Sequence, residues 1–200
     1  MAEHRRLQRV YRWYAPVYDR LFARMYLSAR ARSLASLQLA PNARVLLAAV
    51  GTGLDLPLLP AEMVAVGIDV NSEMLARARI SARPRKTDLI VGDAQAAPFR
   101  AGAFDAVVLH LILSVAPDPA AVVSEAARAV RVGGHVVICD VFAPEGGVSL
   151  LRRAVNVVMR LLGTDITRSF ASMLEGQPLR VLSDRPALGG VYRTILLERV

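Results

Sequence analysis

The sequence predicts an α/β fold: a seven-stranded, mostly parallel sheet with helices on both faces and an antiparallel pair at its C-terminal edge. Three observations predict it. From Arg44 onward, short apolar runs alternate with stretches of helical spacing, the pattern of βαβ units. The run from Phe104 to Leu113 is almost wholly apolar, which suits a central strand covered on both faces. Beyond it, two further strand-like runs flank Gly189-Gly190, a turn signal.

The elements follow in order. Residues His4 to Leu39 mix arginines with Leu7, Val10, Tyr11, Trp13, Tyr14, Val17, Tyr18, Leu21, Phe22, Met25 and Tyr26 at roughly helical spacing. They predict two helices broken near Pro16, in a segment of residues 1–40 that precedes a domain of residues 41–200. Strand one is expected from Val45 to Ala49 and strand two from Val64 to Ile68. Asn71 then caps a helix through Ala82, before the Arg83-Pro84-Arg85-Lys86 loop. Leu89 to Val91 reads as strand three, and the run from Phe104 as strand four. Asp118 and Pro119 supply an N-cap and a first-turn proline for a helix to Arg131, which Gly133-Gly134 would end. His135 to Val141 is strand five, Leu150 to Leu162 a helix, and Leu179 to Leu182 and Val191 to Leu197 the last two strands.

The 200 residues are 54% hydrophobic, yet no apolar run reaches the ~18–20 residues needed to cross a bilayer. No secretory signal is visible, so the expected location is the cytoplasm. Cys139 is the single cysteine, and His4, His110 and His135 are scattered, so no metal site is predicted. The net charge is +8, and its excess lies at the N-terminus, where Arg5, Arg6, Arg9, Arg12, Arg20, Arg24, Arg30 and Arg32 face only Glu3 and Asp19. That end should attract an anionic partner. Charge alone admits nucleic acid, but no nucleic-acid module is recognisable, and an anionic bilayer is the partner expected for residues 1–33.

Strand one runs into Val50-Gly51-Thr52-Gly53-Leu54-Asp55, a glycine turn that lets a ligand approach the backbone. Gly67-Ile68-Asp69 closes strand two with a carboxylate at the edge where open α/β sheets hold ribose hydroxyls. Gly92-Asp93-Ala94 closes strand three. A nicotinamide dehydrogenase also uses a glycine turn and a strand-two acid, but the fuller G-x-G-x-x-G fails at Leu56, and Lys86, the only lysine, has no Tyr-x-x-x-Lys partner.

With Tyr14-Ala15-Pro16-Val17-Tyr18-Asp19, Leu56-Pro57, Val70-Asn71-Ser72-Glu73-Met74-Leu75 and Phe104-Asp105, these stretches resemble class I S-adenosylmethionine-dependent methyltransferases. The likeness extends over nearly the whole chain. Within that class it is to the ubiquinone and menaquinone C-methyltransferases and the bacterial phosphatidylethanolamine N-methyltransferases. The resemblance implies a Rossmann-like fold and S-adenosylmethionine in a crevice bounded by Tyr14, Ala49, Gly51, Gly53, Asp69, Val70, Met74, Asp93, Ala94 and His110. Asp69 would bind the ribose hydroxyls, Asp93 would meet the adenine amine, and Met74 would lie against the purine. Leu47 and Ala49 depart from the family turn, replacing an acid and the first glycine. Ala49 is expected at a negative φ, because a Cβ disfavours the angles that glycine adopts freely. A non-catalytic binding protein on this fold is the alternative, and cofactor binding separates the two.

Methyl transfer from a sulfonium is an in-line displacement, so alignment dominates and a base is needed only for a protonated nucleophile. His110, near the end of strand four, is the candidate base or a buried core histidine. Tyr18 and Tyr26, with Tyr14, are candidates to close over the reacting centre or hold an amine cation through their rings. Asp140 reads as a substrate contact or a helix cap. Arg152, Arg153 and Arg160 share a helical segment with Leu150, Leu151, Val155, Val158 and Leu161, a basic face beside an apolar one that suits a membrane interface. Arg152, Arg153, Arg168 and Tyr192 are the candidate partners of a phosphate headgroup. The expected acceptor is therefore an amphiphile: phosphatidylethanolamine ahead of a polyprenyl quinone precursor, met at the inner face of the membrane.

Overall fold

The computed structural model describes residues 26–82, 87–144 and 146–200. The helices expected around Pro16, the loop at residues 83–86, and Tyr14 and Tyr18 lie outside the described residues. The first described helix, α1, includes residues 26–35. Seven strands follow in the spatial order β3-β2-β1-β4-β5-β7-β6. They are β1 (Arg44–Ala48), β2 (Val64–Asp69), β3 (Thr87–Val91), β4 (Phe104–His110), β5 (Val130–Asp140), β6 (Leu179–Ala187) and β7 (Tyr192–Arg199). The first five are mutually parallel with β1 at their centre, and β7 runs antiparallel to both of its neighbours. The other helices are α2 (Ser72–Ser81), α3 (Pro119–Ala129), α4 (Leu150–Leu161) and α5 (Phe170–Leu174).

Strand alternation divides the core between the two sheet faces. Leu46, Val107, Leu109 and Ile138 point to one face, where Val122, Val123 and Ala126 of α3 and Phe170 and Met173 of α5 cover them. Val45, Leu47, Ala106, Val108 and Val137 point to the other, under Leu34 and Leu37 from the α1 region, Leu56, and Leu75 and Ala78 of α2. Residues 26–37 therefore share the core of the sheet. Leu47, at the position where the family turn carries an acid, is 1% exposed and packs as a core side chain.

Helix starts follow the sequence. The Asn71 side chain accepts from the amides of Glu73 and Met74, and that of Asp118 accepts from Ala121 ahead of Pro119. Two boundaries are corrected. α3 stops at Ala129, and Gly133-Gly134 lies inside β5, where the register against β4 shifts between Phe104 and Ala106. A Cβ at Gly134 would stand 2.8 Å from the Asp105 carbonyl oxygen, so the glycine pair permits a bulge instead of ending a helix. β4 stops at His110, three residues early, because Leu111 takes a left-handed φ of 58° and bonds through its amide to the Cys139 carbonyl. Asp140 caps the turn that follows, accepting from the amides of Leu113 at 2.7 Å and Ser114 at 3.2 Å. It is fully buried, and burial raises its pKa.

Candidate active site

The carboxyl ends of β1 to β5 share one edge of the sheet, and the strand-end residues collect there. After β1 the chain turns through Ala49, Gly51 and Gly53 at φ of 55°, 56° and 81°. A Cβ built at Gly51 would meet nothing nearer than the Ala49 carbonyl oxygen at 3.9 Å, so the space above this glycine is open to a ligand. The Gly51 amide donates to Asp69 Oδ2 at 2.8 Å and the Asn71 amide to Oδ1 at 2.9 Å. Each carboxylate oxygen is thus aimed by one backbone donor and retains capacity for another, as a ribose diol requires. Burial raises the pKa of Asp69 against the lowering effect of those two amides. At the neighbouring strand end Asp93 is half-buried and Ala94 buried, while Met74 is half-buried and Val70 exposed beside Asp69. The open glycine turn and the aimed carboxylate fit the adenosine portion of S-adenosylmethionine.

Ala49 does not take the negative φ expected of it. The turn geometry requires a left-handed residue there, and the Cβ carries the strain, about 1–2 kcal/mol for an L-residue. Ala49→Gly removes that strain at an entropic cost of about 0.5–1 kcal/mol. The net expectation is a Tm raised by about 2 °C in scanning calorimetry. A lowered Tm would mean that the turn holds no strain to relieve.

His110 is deeply buried, with both ring nitrogens engaged. Nε2 lies 2.8 Å from Ser33 Oγ on α1, and Nδ1 lies 2.9 Å from Asp55 Oδ1, while Arg30 donates to Asp55 Oδ2 at 2.7 Å. Facing a carboxylate, Nδ1 carries the hydrogen. Burial is the largest influence on Asp55 and opposes its ionisation, but His110 and then Arg30 outweigh it and hold the carboxyl well below the usual range. The structure thus places His110 in a polar clamp that fastens α1 to the segment after the glycine turn. Arg30, counted among the charges facing an anionic surface, is buried in this clamp. Sequence reading missed Ser33 and Asp55; the usable signal was that Arg30 and Ser33 are in helical phase with the buried Tyr26, Ala29, Leu34 and Leu37.

The structure does bring Tyr26 and Tyr192 together. Their hydroxyls are 2.7 Å apart and their ring centroids 4.9 Å, edge to face. Burial raises the pKa of Tyr26 and pushes that of Cys139 up to about 11. Two of the arginine candidates are committed to backbone carbonyls. Arg152 donates from Nε to the Ile166 carbonyl and from a terminal nitrogen to that of Phe142, so its fork serves the backbone. Arg168 gives one nitrogen to the carbonyls of both Leu113 and Ala116. Arg153 is exposed.

α4 is inside out. Its inward face is polar: Asn156 bonds to Asp165, Ile166 and Thr167, and Arg152 adds the two carbonyl contacts. Its apolar residues face outward, with Leu150 83%, Leu151 76% and Leu161 62% exposed, beside Val155, Val157, Val158 and Leu162. No helix among the described residues is long and apolar enough to cross a membrane, and none of their His, Cys, Asp and Glu side chains cluster as a metal site.

Comparison with known proteins agrees with this geometry. Residues 46–138 match a family model described as a methyltransferase domain. The chain is 35% identical over 195 residues to the phosphatidylethanolamine N-methyltransferase of Cereibacter sphaeroides, covering 94% of each chain. It is 34% identical to the demethylmenaquinone methyltransferase of Mycolicibacterium gilvum, over 56% of this chain and 48% of that one. A crystal structure of a putative methyltransferase from Bacillus halodurans superposes with a TM-score of 0.72 at 24% identity, over 79% of this chain and 71% of that one.

Proposed function

Since the chain belongs to the class I S-adenosylmethionine-dependent methyltransferases, we propose that it methylates the amine of phosphatidylethanolamine at a membrane surface. S-adenosylmethionine, when bound, supplies a methyl group activated on a sulfonium. Asp69 and Asp93 hold the adenosine, and the glycine turn admits the methionine part. The observation that carries the amphiphilic acceptor is α4, whose apolar face is unpartnered among the described residues and flanked by Arg153 and Arg160. An anionic bilayer complements both the exposed leucines and the arginines. Likeness across nearly the whole chain, against half to three quarters of it for the demethylmenaquinone methyltransferases, favours phosphatidylethanolamine over a quinone precursor, which is the second reading.

The nucleophilic amine must be neutral to attack. Desolvation at the buried strand ends favours its uncharged form, the ammonium giving its proton to solvent before the neutral amine takes the methyl group and the thioether leaves. His110 is committed to Ser33 and Asp55, and the raised pKa of Tyr26 keeps its hydroxyl protonated, so neither is placed to act as the base. Tyr26 and Tyr192 instead offer aromatic walls and hydroxyl groups that orient the amine.

The test is incubation with isotopically labelled cofactor and, separately, anionic vesicles containing phosphatidylethanolamine, micelles of a demethylated quinone, and water-soluble amines, followed by mass analysis. Label is expected on phosphatidylethanolamine. Label confined to the quinone or to a soluble amine overturns the proposal. In the same assay Leu151→Asp with Leu161→Asp should lower vesicle co-sedimentation by about tenfold or more, since each buried leucine is worth about 1.5–3 kcal/mol, while leaving cofactor binding intact. Removal of residues 1–25 tests the N-terminal contribution while keeping the described residues of α1.

A further inference from the structure

The loop after β3 holds a side-chain bridge from Asp93 to the start of α3. Gln95 Oε1 accepts from the Asp118 amide at 2.7 Å, at the start of α3. That amide can only donate, so the opposite end of the Gln95 side chain, Nε2, faces Asp93 and lies 3.0 Å from both carboxylate oxygens. The Gln95 backbone amide adds a third contact, to Asp93 Oδ1 at 2.9 Å. The loop itself is fastened elsewhere: Glu125 accepts from the Ala97 amide, and Arg128 donates to the carbonyls of Ala97 and Phe99. Anchoring the loop therefore does not depend on the Gln95 side chain. What that side chain adds to the backbone contact is a donor to both Asp93 oxygens, which sets the plane and direction of the carboxylate.

We propose that Gln95 is a positioning residue for adenine recognition, setting the Asp93 carboxylate toward the exocyclic amine before the cofactor arrives. The inference rests on the methyltransferase reading and on Asp93 as the partner of that amine. A pre-aimed acceptor loses less rotamer freedom on binding, so affinity is gained only for ligands that carry the donor.

The experiment compares S-adenosylhomocysteine with its purine analogue, in which hydrogen replaces the amine, by calorimetry on the full chain. Gln95→Leu should weaken S-adenosylhomocysteine by about tenfold, the scale of one charge-assisted hydrogen bond, and leave the analogue within about twofold. Equal weakening of both ligands, or of neither, overturns the proposal. Asp93→Ala separates the two possible failures. If it abolishes the preference for the amine and Gln95→Leu does not, the role of Gln95 alone is wrong; if it leaves the preference intact, Asp93 is not the acceptor and both assignments fall. Gln95→Glu, which retains the acceptor toward Asp118, gives a readout that a purely structural role would not move. Its donor toward Asp93 exists only when the new carboxyl is protonated, so its preference for the amine should recover as pH is lowered, relative to the unchanged protein over the same range. A preference that stays level with pH in that variant counts against the proposal.

Discussion

Asp69→Ala is expected to weaken S-adenosylhomocysteine binding by about a hundredfold, because it deletes two hydrogen bonds to a charged acceptor at about 1.5 kcal/mol each. The carboxylate stands at the end of β2 with one oxygen held by Gly51 and the other by Asn71, so little ordering remains to be done when a diol arrives. Asp69→Asn keeps a single acceptor oxygen and should fall between the two. Titration calorimetry reads all three. Burial raises the pKa of Asp69 above the ordinary carboxylate value, so binding that needs the ionised form should decline, as pH is lowered, sooner than for an exposed aspartate. Equal affinity of Asp69→Ala and the unchanged protein would place the ribose elsewhere.

Asp55→Asn is expected to cost about 3–5 kcal/mol of folding stability, since it removes the carboxylate charge that Arg30 and His110 both face in a buried cluster. For a chain of this size that corresponds to a Tm lowered by about 10 °C or more. Ser33→Ala, which removes only the hydroxyl facing His110, should cost about 1 kcal/mol. The pH dependence has a definite sign. The folded-state carboxyl of Asp55 titrates below its unfolded value, so its stabilising contribution is complete above about 3.9 and is lost as pH falls below that value. Urea denaturation at neutral pH and at pH 3 checks both statements: the gap between the two proteins should shrink in acid. A loss under about 1 kcal/mol at neutral pH would show that the clamp does not hold α1.

What could be read in the sequence was local. Asn71 and Asp118-Pro119 act within a few residues of themselves as caps, and the glycine turn, the acid that ends β2 and the acid just after β3 stand at the strand ends where the pattern puts them. Gly133-Gly134 misled because a glycine pair serves a helix end and a strand bulge equally well, and the choice depends on the Asp105 carbonyl on another strand. The fate of His110 could not be read, since Ser33 and Asp55 are 77 and 55 residues distant. For α4 the sequence displays an apolar and a basic face, but which one turns inward is decided by Asp165, Ile166 and Thr167, whose polar groups select Asn156. Arg152 looked like a headgroup ligand for the same reason: its carbonyl partners are visible only in three dimensions.

The contact between Tyr26 and Tyr192 joins residues 166 positions apart, one on the first described helix and the other opening the last strand. A ribosome adding about 5–20 residues per second exposes the first of these roughly ten to thirty seconds before the second. The five parallel strands can pair during that interval, but the aromatic wall beside the strand ends cannot close until β7 threads between β5 and β6. Nascent or C-terminally truncated chains would therefore carry the glycine turn and the acids of the strand ends without the tyrosine pair proposed to face the acceptor, so during synthesis cofactor affinity should precede methyl-transfer competence.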